Sequence, residues 1–243
     1  MIRMLKIFLG KFGLRVGRQG ELFNFRLARH LKRLDVKTVL DVGANIGQFY
    51  FELKSAGFTG EVISFEPLPD AHERLTSISK KWPNWNIFDR VALGNSEIMT
   101  TMNVAKNSAS SSIRSQTDLM KKNAGFAKEV EQVEIKVTTL DNIITSMTLG
   151  SCALKIDTQG YELEVLKGAS RLLEKVKLVS VELSLAELYE GQAPYYSIDE
   201  YLRSHGFQLI DLYPGFKNID TGEVLEYDAI YTKFDKESAI NDC

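Results

Sequence analysis

The chain has 243 residues, 44% hydrophobic and 26% charged, with 30 Lys and Arg against 32 Asp and Glu. This composition excludes overall disorder and collagen-like structure, and the near-balance of charge lacks the basic bias of nucleic-acid binders, so no nucleic-acid partner is expected. No apolar run approaches the ~18–20 residues that cross a bilayer. Two distant cysteines, Cys152 and Cys243, offer neither a disulfide framework nor zinc spacing, and a reducing, cytoplasmic setting is the expectation.

In chain order, the first segment is basic. Arg3, Lys6, Lys11, Arg15 and Arg18 stand without any acid in residues 1–20. Lys6 and Lys11 interrupt the apolar core that a signal peptide needs. Ile2, Leu5, Leu9 and Phe12 fall on one helical stripe, so residues 1–36 are expected to be a basic helical segment packed on, or leading into, a domain at 37–234. The alternative use of that stripe is a peripheral membrane contact. Residues 235–243 are a tail.

From residue 38 the pattern alternates. Thr38-Val39-Leu40-Asp41-Val42 reads as a strand, 49–55 as a helix, 61–66 as a strand stopped by Pro67, 70–80 as a helix with Leu75 and Ile78 inward, and 86–93 as a third strand. Residues 95–136 are irregular, with the polar run 107–112, and read as an insertion, either linker or lid. Strands at 154–157 and 178–183 flank a helix at 162–174. This alternation predicts parallel βαβ units in an α/β sheet. The end differs: 207–212 and 224–233 are two strands joined by a Gly-rich loop without a helix, which predicts an antiparallel closing pair.

The chemistry concentrates at strand ends. Gly43 and Gly47 follow the first strand, in the βα turn where open α/β sheets bind cofactors. Gly43 suits a tight turn, and Gly47 close approach to a ligand. Glu66, 25 residues after Asp41, ends the second strand, where a carboxylate can accept both ribose hydroxyls of an adenosine. The turn reads Gly-Ala-Asn-Ile-Gly and lacks the middle Gly of the dinucleotide fingerprint, and there is no P-loop. An acid at Asp41 would repel phosphate but suits a cationic amino-acid ligand, which points to S-adenosylmethionine. Asp157 and Glu182 end two further strands on the same edge.

His30, His72 and His205 have no metal spacing and read as surface or packing residues. Tyr189, Tyr195 and Tyr196 around Pro194 fit either an aromatic rim over a substrate or plain loop packing.

The sequence resembles the FkbM family of S-adenosylmethionine-dependent methyltransferases. The stretches that carry the resemblance are Asp41-Val42-Gly43-Ala44-Asn45-Ile46-Gly47, Phe65-Glu66-Pro67, Val91-Ala92-Leu93-Gly94, Ser110-Ser111-Ser112 and the segment 154–169, within about 38–234. Many members carry Val-Glu where this chain has Thr158-Gln159. The resemblance implies a Rossmann-like class I fold: a mostly parallel seven-stranded sheet with its last strand antiparallel and helices on both faces. It implies O-methylation of a hydroxyl on a glycan or secondary metabolite, so the expected partner is a small-molecule or glycan acceptor. It places Asp41, Gly43, Ala44, Asn45, Gly47, Glu66, Ala92, Ser111 and Ser112 around the cofactor.

Catalysis is then expected at Asp157 and Glu182. One carboxylate could be the general base, with the other raising its pKa. Alternatively, Asp157 and Glu182, joined by Asp228, could hold a divalent cation such as Mg²⁺. Two other readings stay open at this level: a cofactor-binding module that has lost its chemistry and acts through partners, and a nicotinamide-dependent oxidoreductase. No oligomeric state is legible.

Overall fold

The computed structural model describes residues 19–147 and 149–233. The apolar stripe from Ile2 to Phe12 and the tail at 235–243 lie outside the described residues. Among the described residues, no helix is long and apolar enough to cross a membrane.

The chain opens on helix α1 (Gln19–Arg33) and then alternates β1 (Thr38–Val42), α2 (Gln48–Ser55), β2 (Glu61–Phe65), α3 (Pro69–Ser79) and β3 (Trp85–Ile87). After an insertion it resumes with β7 (Cys152–Ile156), β8 (Val176–Ser184), helix α8 (Tyr195–Ser204), β9 (Phe207–Pro214) and β10 (Glu226–Lys233). The seven strands form one sheet in the order β3-β2-β1-β7-β8-β10-β9. The first five run parallel, and β10 is antiparallel to both β8 and β9. This is the mostly parallel seven-stranded sheet that the resemblance implies, with its last strand inserted between β8 and β9.

Strands buried on both faces read as continuous apolar runs. All five residues of β1 and of β7 are buried. Successive side chains feed opposite cores. Leu40, Val42, Leu154 and Ile156 pack with Leu166, Leu172 and Leu202 on one face. Val39 and Ala153 pack with Leu27, Leu31, Leu53 and Leu75, from α1, α2 and α3, on the other.

Three expectations are corrected. The third strand divides: Trp85–Ile87 stays in the large sheet, whereas β4 (Ala92–Leu93) joins a separate three-stranded sheet. The insertion 95–136 is not irregular. It holds β5 (Ile98–Ala105), a short helix α4 (Asp118–Asn123) and β6 (Glu129–Thr138), with β5 and β6 paired antiparallel. The helix expected over 162–174 breaks in two, α6 (Glu162–Lys167) and α7 (Ser170–Leu173), with a four-residue α5 (Leu140–Ile143) beside them. The break is at Gly168, where a Cβ would lie 1.8 Å from the carbonyl oxygen of Gly94. The Asp141 carboxylate caps the second piece, accepting from the amides of Arg171 and Leu172, both at 2.9 Å.

Candidate active site

Two cavities open beside the carboxyl ends of the parallel strands, and they share a wall of Gly43, Asn45, Ala109 and Asp157. One is mainly apolar and includes Phe65, Leu68, Val91, Ala92, Met102 and Tyr161. The other is more polar and includes Glu52, Lys155, Glu182 and Asp228.

The turn after β1 builds the shared wall. Gly43 has φ +78°, and a Cβ there would sit 1.8 Å from the carbonyl oxygen of Asp157. The next bend falls on Asn45, at φ 47°. Its backbone amide donates to Glu66 Oε2 at 2.8 Å, and the Leu68 amide donates to Glu66 Oε1 at 2.8 Å. Each carboxylate oxygen keeps further acceptor capacity toward the cavity. Burial pushes the Glu66 carboxyl up to about 7, against the pull of those two amides. Asn45 Oδ1 accepts from Ser108 Oγ at 3.0 Å, while its Nδ2 is buried with no protein partner. A buried donor left open in this way fits a ligand acceptor atom.

Ala92 and Ser111 line the apolar cavity and Ala44 the polar one. Three expected cofactor residues line neither. Asp41 is wholly buried, accepts from Ser64 Oγ at 3.0 Å and pairs with Lys155 Nζ at 3.1 Å. Its charge is answered by a lysine of the protein, not by a ligand. Gly47 is the N-cap of α2 at φ 90°, where a Cβ would meet the Trp85 ring at 2.3 Å. Its missing side chain makes room for Trp85, which stacks on Tyr50 at 3.9 Å. Ser112 lies behind the cavity, its Oγ donating to the Gln159 carbonyl at 2.6 Å.

Asp157, Glu182 and Asp228 do share the polar cavity. Glu182 and Asp228 are register partners on β8 and β10. Desolvation, then the neighbouring carboxylates, hold the Glu182 carboxyl well above its ordinary value. Burial and Asp157 raise Asp228 to about 7. The divalent-cation set expected from these three is not assembled: among the described residues, no group of three or more His, Cys, Asp or Glu is placed to hold a metal ion. The local cation is the Lys155 ammonium, 3.7 Å from Asp157 Oδ2 and held above its usual pKa by Asp41 and Asp157 although burial alone would lower it.

Lys155 and Gln159 escaped the sequence reading. A lysine inside the otherwise apolar Cys152–Ile156 was the available signal, since a buried ammonium needs an acid beside it. Gln159 adopts φ 55° and sets its Nε2 3.0 Å from Asp157 Oδ1 and 3.1 Å from Glu182 Oε2. Its Oε1 accepts from the Tyr189 hydroxyl at 2.6 Å. Tyr189 is fully buried, so it is no part of a rim; Tyr195 and Tyr196 are exposed. The histidines are packing groups: His72 Nε2 lies 2.8 Å from the Phe88 carbonyl, and His205 Nδ1 2.8 Å from that of Tyr201.

The methyltransferase FkbM domain model matches residues 41–209. The chain belongs to the FkbM methyltransferase family. The match takes in every expected site residue except Asp228. A curated relative, the hexuronic acid methyltransferase AglP of Haloferax volcanii, is 29% identical over 144 residues, covering 59% of this chain. The aligned part spans about half of that relative, 54%. Among solved structures, an rRNA methylase from Streptococcus thermophilus aligns with a TM-score of 0.48 and 11% identity, over 91% of this chain and 100% of that one. Magnesium protoporphyrin IX methyltransferase (ChlM) from Synechocystis PCC 6803, solved with bound SAM, aligns at 0.47 and 11%, over 89% and 80%. Both are likenesses of backbone path alone.

Proposed function

We propose that this FkbM domain is an S-adenosylmethionine-dependent O-methyltransferase acting on a hydroxyl of a glycan or secondary metabolite. The observation that carries this reading is the wall shared by two unlike cavities, which brings an apolar pocket and an acid-lined pocket together at Asp157. The residues suit the cofactor. Glu66 would take ribose hydroxyls, Asn45 Nδ2 would donate to an acceptor atom, and Val91 and Ala92 would pack a planar ring. When bound, S-adenosylmethionine supplies a methyl group on a sulfonium that leaves readily.

The chain's own task is then alignment and proton removal. A neutral hydroxyl is a poor nucleophile, and its proton must go to a base. Asp157 is the base in this reading, because it touches both cavities and its side chain is 43% exposed. Glu182 and Asp228 orient the acceptor's other hydroxyls. The name of the Haloferax relative, a hexuronic acid methyltransferase, supports a sugar-derived acceptor.

Calorimetry with S-adenosylmethionine tests the first half. Glu66→Ala should lose about 1–3 kcal/mol of binding, the worth of charge-assisted hydrogen bonds. No binding by the wild-type chain overturns the reading. Labelled methyl transfer to a panel of sugars tests the second half. Full turnover in an Asp157→Asn, Glu182→Gln double variant would remove the carboxylates from the chemistry and leave alignment as the source of rate.

A further inference from the structure

Gln159 belongs to two networks at once. Toward the polar cavity its Nε2 bridges Asp157 Oδ1 and Glu182 Oε2, at 3.0 and 3.1 Å. Toward segment 108–113, whose Ser108, Ala109, Ser111 and Ile113 line the apolar cavity, it is held twice. Its carbonyl accepts from Ser112 Oγ at 2.6 Å, and its Oε1 accepts from Tyr189 Oη, which also lies 3.2 Å from the Ser110 carbonyl. Ser110, Ser111 and Ser112 are all buried, so the segment sits as a packed cap rather than a free loop. The two carboxylates orient the amide: Nε2 donates to them, which leaves Oε1 facing the Tyr189 hydroxyl. A left-handed backbone at a non-glycine residue persists where its surroundings hold it, and here both sides of Gln159 are held.

We propose that Gln159 is a positioning residue that couples the placement of the 108–113 cap against the apolar cavity to the placement of the Asp157–Glu182 pair in the polar one. This rests on the reading of the apolar cavity as the nucleoside site. Movement of the cap when that cavity fills pulls on Ser110 and Ser112, and through Tyr189 and the Gln159 carbonyl it re-aims the amide. The two carboxylates are thereby set for the acceptor only when the cofactor is seated. A Glu at this position would still accept from Tyr189 but would put a third carboxylate where the two acids need a donor.

The test uses the full chain with selectively ¹³C-labelled glutamate carboxyls and adenosine as the probe. Glu66 lines the apolar cavity and reports occupancy; Glu182 lines only the polar one and reports the relay. In the wild type, adenosine should shift both signals. In Gln159→Asn the left-handed backbone is tolerated, but the shorter amide cannot span both acids. Tyr189→Phe leaves Gln159 in place and removes its anchor. In both variants the Glu66 response should persist and the Glu182 response should be lost. A Glu182 response unchanged in Gln159→Asn overturns the coupling, as does a wild type in which Glu66 responds and Glu182 does not. No Glu66 response in the wild type overturns the nucleoside reading itself, and the coupling with it.

Discussion

The apolar and polar cavities share four residues but hold charge in different ways. In the apolar one the carboxylate that is not shared, Glu66, is answered by the backbone amides of Asn45 and Leu68. In the polar one, side chains answer side chains: Lys155 with Asp41 and Asp157, and the Gln159 amide with Asp157 and Glu182. Backbone donors come with the fold and do not titrate, so in the first cavity only the carboxylate side of the contact changes with pH. The second depends on which of its acids are protonated. The contrast is what the proposed function asks for: recognition of a constant cofactor in one cavity and handling of a proton in the other.

The sharpest way to break the contrast is to damage the shared wall. Gly43→Ala adds a Cβ 1.8 Å from the Asp157 carbonyl oxygen at a residue with φ +78°. Backbone strain and the clash together should cost on the order of 4 kcal/mol or more. Both cavities should fail together. Thermal denaturation reads the loss, and an unchanged melting temperature would mean that the loop bearing Asp157 moves aside freely.

Lys155→Met should damage the polar cavity selectively. Asp41 is fully buried and its charge partner is the Lys155 ammonium. Breaking a buried pair from one side typically costs about 3–5 kcal/mol, because the remaining charge is uncompensated. Adding Asp41→Asn should recover most of that loss in urea denaturation. If Lys155→Met alone costs almost nothing, Ser64 suffices to carry Asp41.

These two residues also show how far the sequence could be read. Gly43 was legible because its strand–Gly–helix context has one main physical use, and the parallel strands were legible because strands buried on both faces are continuous apolar runs. Asp41 was legible as a site acid but not as a paired one, since its partner lies 114 positions away and only the β1–β7 register brings the two together. Gly47 was misread because a glycine vacated for Trp85 looks, in sequence, like one vacated for a ligand. The insertion hid its strands differently. Val133, Ile135 and Val137 alternate with Glu134 and Lys136 at the period of a strand, but in the partner Ile98–Ala105 the apolar residues do not alternate and Ile98 and Met99 are exposed, so its own pattern is weak. Gln159 carried no signal, because its role comes from a left-handed turn that places one amide among residues from three segments.

A pH series acts on both cavities, with a smaller effect. Burial raises Glu66 and Asp228 to about 7 and Glu226 to about 8. A carboxyl raised on folding stabilises the folded chain fully below its unfolded pKa, near 4, and that contribution fades as pH rises through the folded value. Stability of the ligand-free chain should therefore fall from about pH 5 to pH 8. The fall should reach a few kcal/mol in sum, since each tenfold change in a group's proton affinity is worth about 1.4 kcal/mol. Glu226→Gln should flatten the slope. A chain that gains stability over this range would show these carboxyls to be ionised and well solvated in the fold.

The smallest effect expected is the most local. Ser108 Oγ donates to Asn45 Oδ1, and this contact leaves Asn45 Nδ2 as the buried donor without a protein partner. Ser108→Ala lets the amide turn, so the donor no longer faces the ligand by default. The loss should be about 0.5–1.5 kcal/mol of S-adenosylhomocysteine binding, the net worth of one neutral hydrogen bond. Stability should scarcely move, because Ser108 is itself half-exposed. Asn45→Ala should cost at least as much, and the double variant should cost no more than Asn45→Ala alone, since the serine acts through the amide. Calorimetry on the four proteins closes the cycle. Additive losses would mean that Ser108 meets the ligand independently, and the apolar cavity would then rely on a side-chain donor of its own, as the polar one does.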